Sequence, residues 1–273
     1  MRPPAAPGTA IDDDRRAQWL ARFQGYRVPV AEPELDAWLT CFNEEHRDLA
    51  ARVLDAVEFV TLHEMEEAFR TILRNLPGWS PEKSQRQGKW RFVAFGKPGG
   101  SGDRMLHLFR VANDLDWPQF AELFVHKSEL LLQGLGPDDT VVFLDDFAGS
   151  GDQVCEAWNA NLAELLPTDP KVYLVLVGAT ANALDRIGSD TGLTPVAHRV
   201  LDRDENVFSG ICPHFSVGDQ ATLMTYCERA DRRQPRGYGD CGLLVVLAHR
   251  CPNNSLPILH ANNKRFLGIF PRN

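Results

Sequence analysis

Residues 141–153 read Val-Val-Phe-Leu-Asp-Asp-Phe-Ala-Gly-Ser-Gly-Asp-Gln. The opening run of four apolar residues suits a strand covered on both faces, as in a parallel sheet. Ala148, Gly149 and Gly151 are small enough for the backbone to turn tightly and expose its amides. Asp152 and Gln153 then open a helix, and the amides before it form an anion site that the Ser150 hydroxyl completes. Asp145 and Asp146 stand at the sheet edge beside that site. Paired acids next to an anion site suit a sugar phosphate, with carboxylates accepting sugar hydroxyls while amides meet the phosphate. The plain alternative is a sheet-end turn whose acids face water. A P-loop is excluded because GK[ST] is missing, and a dinucleotide fingerprint because GxGxxG is missing.

The same strand–turn–helix order recurs on either side. Upstream, an apolar strand at Arg91–Phe95 leads into the turn Phe95-Gly-Lys-Pro-Gly-Gly-Ser-Gly102 and a helix over Arg104–Val111. Downstream, a strand at Lys171–Val177 precedes another helix, and Leu243–Ala248 reads as a last buried strand. Such repetition predicts a doubly wound α/β domain whose ligands sit at the carboxyl ends of its strands. The three strands 91–95, 140–144 and 171–177 should be neighbours. Their ends should surround one pocket lined by Lys97, Ser101, Asp145, Asp146 and Ser150.

The first third follows a helical period. Thr61-Leu-His-Glu64 is a capping box, and Met65, Ala68, Phe69, Ile72, Leu73 and Leu76 fall on one stripe after it. Asn43 is placed to cap an earlier helix bearing Leu49, Val53, Leu54 and Val57. Both stripes must bury against something, and a polar segment at 80–88 separates them from the strand at 91–95. The expected organisation is a mobile tail and first helix over 1–32, a helical region over 33–88, and an α/β domain over 89–273. The helical region is also the surface through which a protein partner would engage.

The chain has 273 residues, 44% of them apolar, which supplies a core for one large domain or a domain with a small addition. A net charge of −8 excludes a broad nucleic-acid surface, and Arg232, Arg233 and Arg236 read as a solvated loop. Six dispersed cysteines without a CxxC pair read as reduced, mostly buried thiols. Cys212-x-His214 and His249-x-Cys251 suggest zinc, although structural zinc ligands usually stand two to four residues apart. The N-terminus lacks the apolar core of a signal peptide and no run is long enough to span a bilayer, so a cytoplasmic protein is expected. His63 and His107 fall on helical segments and read as packing or surface residues.

The acid turn resembles the phosphoribosyl-pyrophosphate motif of the phosphoribosyltransferases. That resemblance implies an α/β fold with a parallel-centred sheet flanked by helices, preceded here by an N-terminal helical region. It makes Asp145 and Asp146 the catalytic pair that binds the ribose hydroxyls. Ala148, Gly149, Ser150, Gly151, Asp152 and Gln153 would hold the 5′-phosphate. Lys97, Gly99, Gly100 and Ser101 would hold pyrophosphate, because the family places such a loop after an early strand. Mg²⁺ is the implied cofactor, held largely by the substrate near Asp145 and Asp146. Pro252-Asn-Asn-Ser-Leu-Pro-Ile258 and the Phe270-Pro-Arg272 end, with DDFAGSG and the helical front, narrow the likeness to the PRTase-CE group over residues 35–272. That group implies a bacterial conflict or antiviral defence setting, with pentosyl transfer, non-catalytic sensing of a nucleotide or ribose phosphate, or an interaction module with a vestigial pocket. Asn253 and Asn254 read equally as turn residues or as ligand contacts. The turn departs from ordinary members at Gly149 and Gln153, where threonine is usual, and at Asp152, where glycine is usual. An Asp152 carboxylate beside a phosphate must either cap the helix or turn to solvent.

Overall fold

The computed structural model describes residues 11–166 and 169–272. The tail expected over residues 1–10 lies outside the described residues. In chain order, α1 (Asp13–Phe23), α2 (Glu32–Leu39) and α3 (Arg47–Ala56) precede β1 (Glu58–Val60) and α4 (Leu62–Asn75). Next come β2 (Trp90–Ala94), α5 (Ser101–Ala112), β3 (Thr140–Ala148), α6 (Asp152–Ala157) and β4 (Lys171–Thr180). The remainder is α7 (Ala181–Asp190), β5 (Thr194–Leu201), α8 (Val217–Ala230), β6 (Val245–Leu247), α9 (Pro257–His260), β7 (Asn262–Asn263) and β8 (Phe266–Leu267).

Residues His63–Leu201 form one compact unit. Its sheet is four-stranded and entirely parallel, in the order β2-β3-β4-β5. The strands expected at 91–95, 140–144 and 171–177 are therefore neighbours. Both faces of the sheet are covered. On one, Phe92 meets Phe109 of α5 with ring centroids 4.9 Å apart, and Phe109 meets Phe69 of α4 at 5.7 Å. On the other, Phe143 meets Trp158 at 6.2 Å, and Leu174 and Leu176 share a core with Ala183 and Ile187 of α7. Burial on both faces is why β3 and β4 read as unbroken apolar runs rather than alternating ones. The edge strand β5 has mixed burial and polar residues, so it has no such run to reveal it.

The described residues up to Leu62, together with those from Asp202 onward, form the second unit. The helix α1 starts at Asp12, whose carboxylate accepts the Arg15 amide at 2.9 Å, with Asp13 and Asp14 in the positive first turn. The core gathers aromatics from both ends of the chain: Phe42 lies 4.5 Å from Tyr226, and Phe23 lies 4.9 Å from Phe270. The strand expected at 243–248 is shorter here. It pairs in parallel with β1 as a separate two-stranded sheet.

This division cuts the chain differently from the segments 33–88 and 89–273. The α4 stripe, read with the helical region, packs within the sheet unit, where Met65, Ala68, Phe69, Ile72, Leu73 and Leu76 are all buried. The stripe of α3 enters the other core, with Leu49, Val53, Leu54 and Val57 buried. An amphipathic stripe requires a partner surface but does not name it. These faces are covered by the chain's own cores. Asn43 precedes a short 3₁₀ turn and makes no side-chain cap.

All six cysteines are free thiols; Cys155, Cys227 and Cys251 are buried and the others partly so. Burial pushes the Cys251 thiol up to about 12, which makes it inert. Among the described residues, no group of three or more His, Cys, Asp or Glu could hold a metal, and no helix is long and apolar enough to cross a membrane.

Candidate functional site

Adjacent parallel strands bring two of the expected loops to one edge. Where β2 ends alongside β3, the Phe95 amide donates to the Leu144 carbonyl at 2.9 Å. The ladder of β3 does not stop at Leu144: Asp145, Phe147 and Ala148 still pair with Leu176, Gly178 and Ala179 of β4. The acid pair is thus held in extended, hydrogen-bonded backbone. A turn starting after Leu144 would have left it loose.

Asp145 Oδ1 accepts the Ser101 hydroxyl at 2.6 Å and the Asp146 amide at 2.9 Å. Ser101 is the first residue of α5, so this contact joins the Gly-rich loop to the acid turn. Gly102 makes the approach feasible, because a Cβ there would sit 2.0 Å from the Phe95 carbonyl oxygen. Burial and the neighbouring Asp146 carboxylate hold Asp145 well above the usual carboxylate range, with the Ser101 bond opposing. Asp146 Oδ1 accepts the Phe147 amide at 2.8 Å.

The turn after β3 is anchored from behind by α7. Thr180 donates its hydroxyl to the Gly149 carbonyl at 2.6 Å while accepting the Ala183 amide at 3.0 Å, which caps α7. Gly151 adopts φ 78°, the left-handed region that glycine tolerates, and is the residue that caps α6. Ala148 and Gly149 are buried, Ser150 and Asp152 half-buried, and Gln153 exposed. The Ser150 and Gly151 amides meet no acceptor among the described residues.

Asp152 takes neither expected course. Its side chain makes no helix cap. Instead Oδ1 pairs with Arg186 of α7, and Oδ2 accepts the Ser150 hydroxyl at 2.7 Å. An opposite charge from the next helix neutralises the extra acid, a solution that local sequence cannot show. It also turns the Ser150 hydroxyl toward Asp152.

The Gly-rich loop offers fewer donors than the sequence suggested. The Gly99 amide donates to the Asp103 carboxylate, and the Gly100 amide to the Lys97 carbonyl at 3.0 Å. Two amides expected for pyrophosphate are therefore engaged, because the loop closes on itself. Lys97 is exposed on the loop, and Lys127 donates to the Gly96 carbonyl. Of the five residues expected to line one pocket, Ser101 and Asp145 touch. The Ser150 hydroxyl turns to Asp152 at 2.7 Å. A cavity of about 230 Å³ does open against this loop, lined by Gly96, Pro98, Asp103, Phe124, His126 and Lys127. Sequence reading missed Asp103, Lys127 and Arg186. Asp103 stands four residues after Gly99, the one short-range signal among them.

The two carboxylates offer the hard oxygen ligands that Mg²⁺ takes when substrate phosphates supply the rest of its shell.

Asn253 and Asn254 act as turn residues. The Asn253 carbonyl accepts the Tyr238 amide at 2.7 Å, and the buried Asn254 side chain donates to the Tyr238 carbonyl at 3.0 Å. Arg232, Arg233 and Arg236 are exposed, as are His63 and His107 on their helices.

No curated protein matches the chain. The family model PRTase-CE matches residues 35–272, which takes in both strand-end loops, the acid pair and the C-terminal PNNSLPI stretch. The chain belongs to the PRTase-CE family and carries a phosphoribosyltransferase-like α/β domain.

Proposed function

We propose that the chain binds phosphoribosyl pyrophosphate, or a related ribose phosphate, at the carboxyl ends of β2 and β3, and transfers the pentosyl group to an acceptor nucleophile as the anomeric leaving group departs. The observation that carries this reading is the Ser101–Asp145 contact at 2.6 Å, which ties the Gly-rich loop to the acid pair. Asp145 and Asp146 accept the ribose hydroxyls, and the Ser150 and Gly151 amides take the 5′-phosphate. Lys97 and the amide of Ser101 face the pyrophosphate. Mg²⁺, held largely by substrate oxygens near Asp145 and Asp146, would supply charge neutralisation for the leaving pyrophosphate. The protein's own contribution is to place donors where negative charge develops as the anomeric bond breaks. A cytoplasmic role in bacterial conflict or defence, which the family likeness implies, belongs to the same proposal.

A second reading, a non-catalytic sensor of nucleotide or ribose phosphate, draws support from the loop itself. Asp103 occupies the Gly99 amide and adds a negative charge where pyrophosphate would sit. Mg²⁺-dependent release of pyrophosphate from phosphoribosyl pyrophosphate separates the two. Release that vanishes in Asp145→Asn/Asp146→Asn supports transfer, whereas ligand binding without release supports the sensor.

A further inference from the structure

The unit formed around α8, β6 and the C-terminal segment holds a cavity of about 350 Å³, remote in sequence from the acid turn. Arg250, Arg272, His260, Asn262 and Asp231 line it, with Pro257 among its apolar walls. Arg250 leaves the carboxyl end of β6, and its Nε is buried without a hydrogen-bond partner. No acid pairs with Arg250 among the described residues. Arg250 and Arg272 both line the cavity, so an oxyanion there would meet charged, forked donors.

The two arginines are held in place by one phenol. The buried Tyr26 hydroxyl accepts the Cys251 amide at 3.3 Å and donates to the Pro271 carbonyl at 2.8 Å. Each of those residues is the chain neighbour of one arginine, so Tyr26 fixes the backbone on both sides of the cavity. His260 Nε2 lies 3.2 Å from the Ser255 carbonyl, which can only accept, so Nε2 carries the proton and Nδ1 is left as an acceptor. Burial first, and the Arg272 charge next, lower His260 to about 4, which keeps it neutral. Asp231, the acid on the rim, already accepts the Arg233 amide at 2.8 Å and the Gln234 amide at 3.3 Å through Oδ1.

We propose that this cavity is a second ligand site, which takes a small hydroxylated oxyanion: the anionic group on Arg250 and Arg272, and a hydroxyl donating to His260. Forked guanidinium groups suit phosphate and carboxylate alike. The volume lies at the lower end of small-molecule sites, which run from roughly 300 to 1,000 Å³, and exceeds what a bare ion needs. The inference is independent of any activity at the sheet edge.

Calorimetry on the full chain tests it, in the Asp145→Asn/Asp146→Asn background so that the sheet-edge acids are silenced. The probes are ribose 5-phosphate, inorganic phosphate and citrate. Ribose 5-phosphate binding that falls by about tenfold or more in Arg250→Met, with inorganic phosphate weaker, supports a sugar-phosphate site. Citrate binding with the same Arg250 dependence supports the site for carboxylates. Arg250→Lys keeps the charge, loses the fork, and should retain part of the affinity. Arg250→Met or Arg250→Lys binding as tightly as its parent overturns the proposal, as does a parent that binds none of the three probes.

Discussion

Ser101 Oγ donates to Asp145 Oδ1 at 2.6 Å, so the start of α5 and the end of β3 share one hydrogen bond at the sheet edge. That bond also opposes the burial that raises Asp145. Ser101→Ala should therefore raise Asp145 further and cost Mg²⁺-dependent ribose-phosphate affinity about tenfold, the worth of one hydrogen bond to a charged group. Titrations at pH 6 and pH 8 check it: the loss should be larger at pH 6, where the variant carboxyl holds its proton more often.

Asp145 also makes stability depend on pH in a defined direction. Its folded-state value lies above its unfolded one, near 3.9. Its contribution is fully present below about pH 3.9 and is lost as pH rises through the raised folded value. Asp145→Asn removes the penalty, so the variant should melt above wild type by about 2–4 °C at pH 8 for each kcal/mol relieved. The gap should close toward pH 4, which thermal melts across that range measure.

Arg186 neutralises the Asp152 carboxylate, which stays on the Ser150 hydroxyl in the phosphate turn. Arg186→Gln should weaken ribose 5-phosphate binding by about tenfold at low salt and less as salt rises. Adding Asp152→Gly should restore it, because the repelling charge leaves with its partner. Asp152→Gly alone should barely affect α6, since Gly151 is the capping residue. Binding isotherms of the three variants at two ionic strengths check all of this together.

These expectations also show what sequence could and could not supply. The unbroken apolar runs of β3 and β4 and the glycines before α5 place the sheet and both strand-end loops, because burial on both faces and tight turns leave local marks. The reach of β3 to Ala148 has no such mark, since its ladder depends on β4. Arg186 stands 34 positions from Asp152, so their pairing exists only once α6 and α7 are packed. The same holds for α4, whose stripe demands burial without saying against which core. The Asp103 contact was closer to view, four residues from Gly99, but its effect on the loop depends on the turn closing.

Acid sensitivity should have a separate source in the other unit. Arg52 binds Asp219 through both terminal nitrogens and lowers that carboxylate to about 2, with Ser216 also donating. The stabilisation is present above the unfolded value near 3.9 and is lost as pH falls toward 2. Arg52→Met should destabilise the fold at pH 7 and do so progressively less below pH 3.9, with the Ser216 bonds keeping part of the effect. Urea melts at pH 7 and pH 3 measure the difference.

Calorimetric titration of phosphoribosyl pyrophosphate into the full chain, with saturating Mg²⁺, tests the sheet-edge site most directly. Wild type should bind, and Asp145→Asn/Asp146→Asn should lose at least about tenfold in affinity while keeping its fold. Equal affinity in the two proteins, or no binding by wild type, would contradict a ribose-phosphate site at the ends of β2 and β3.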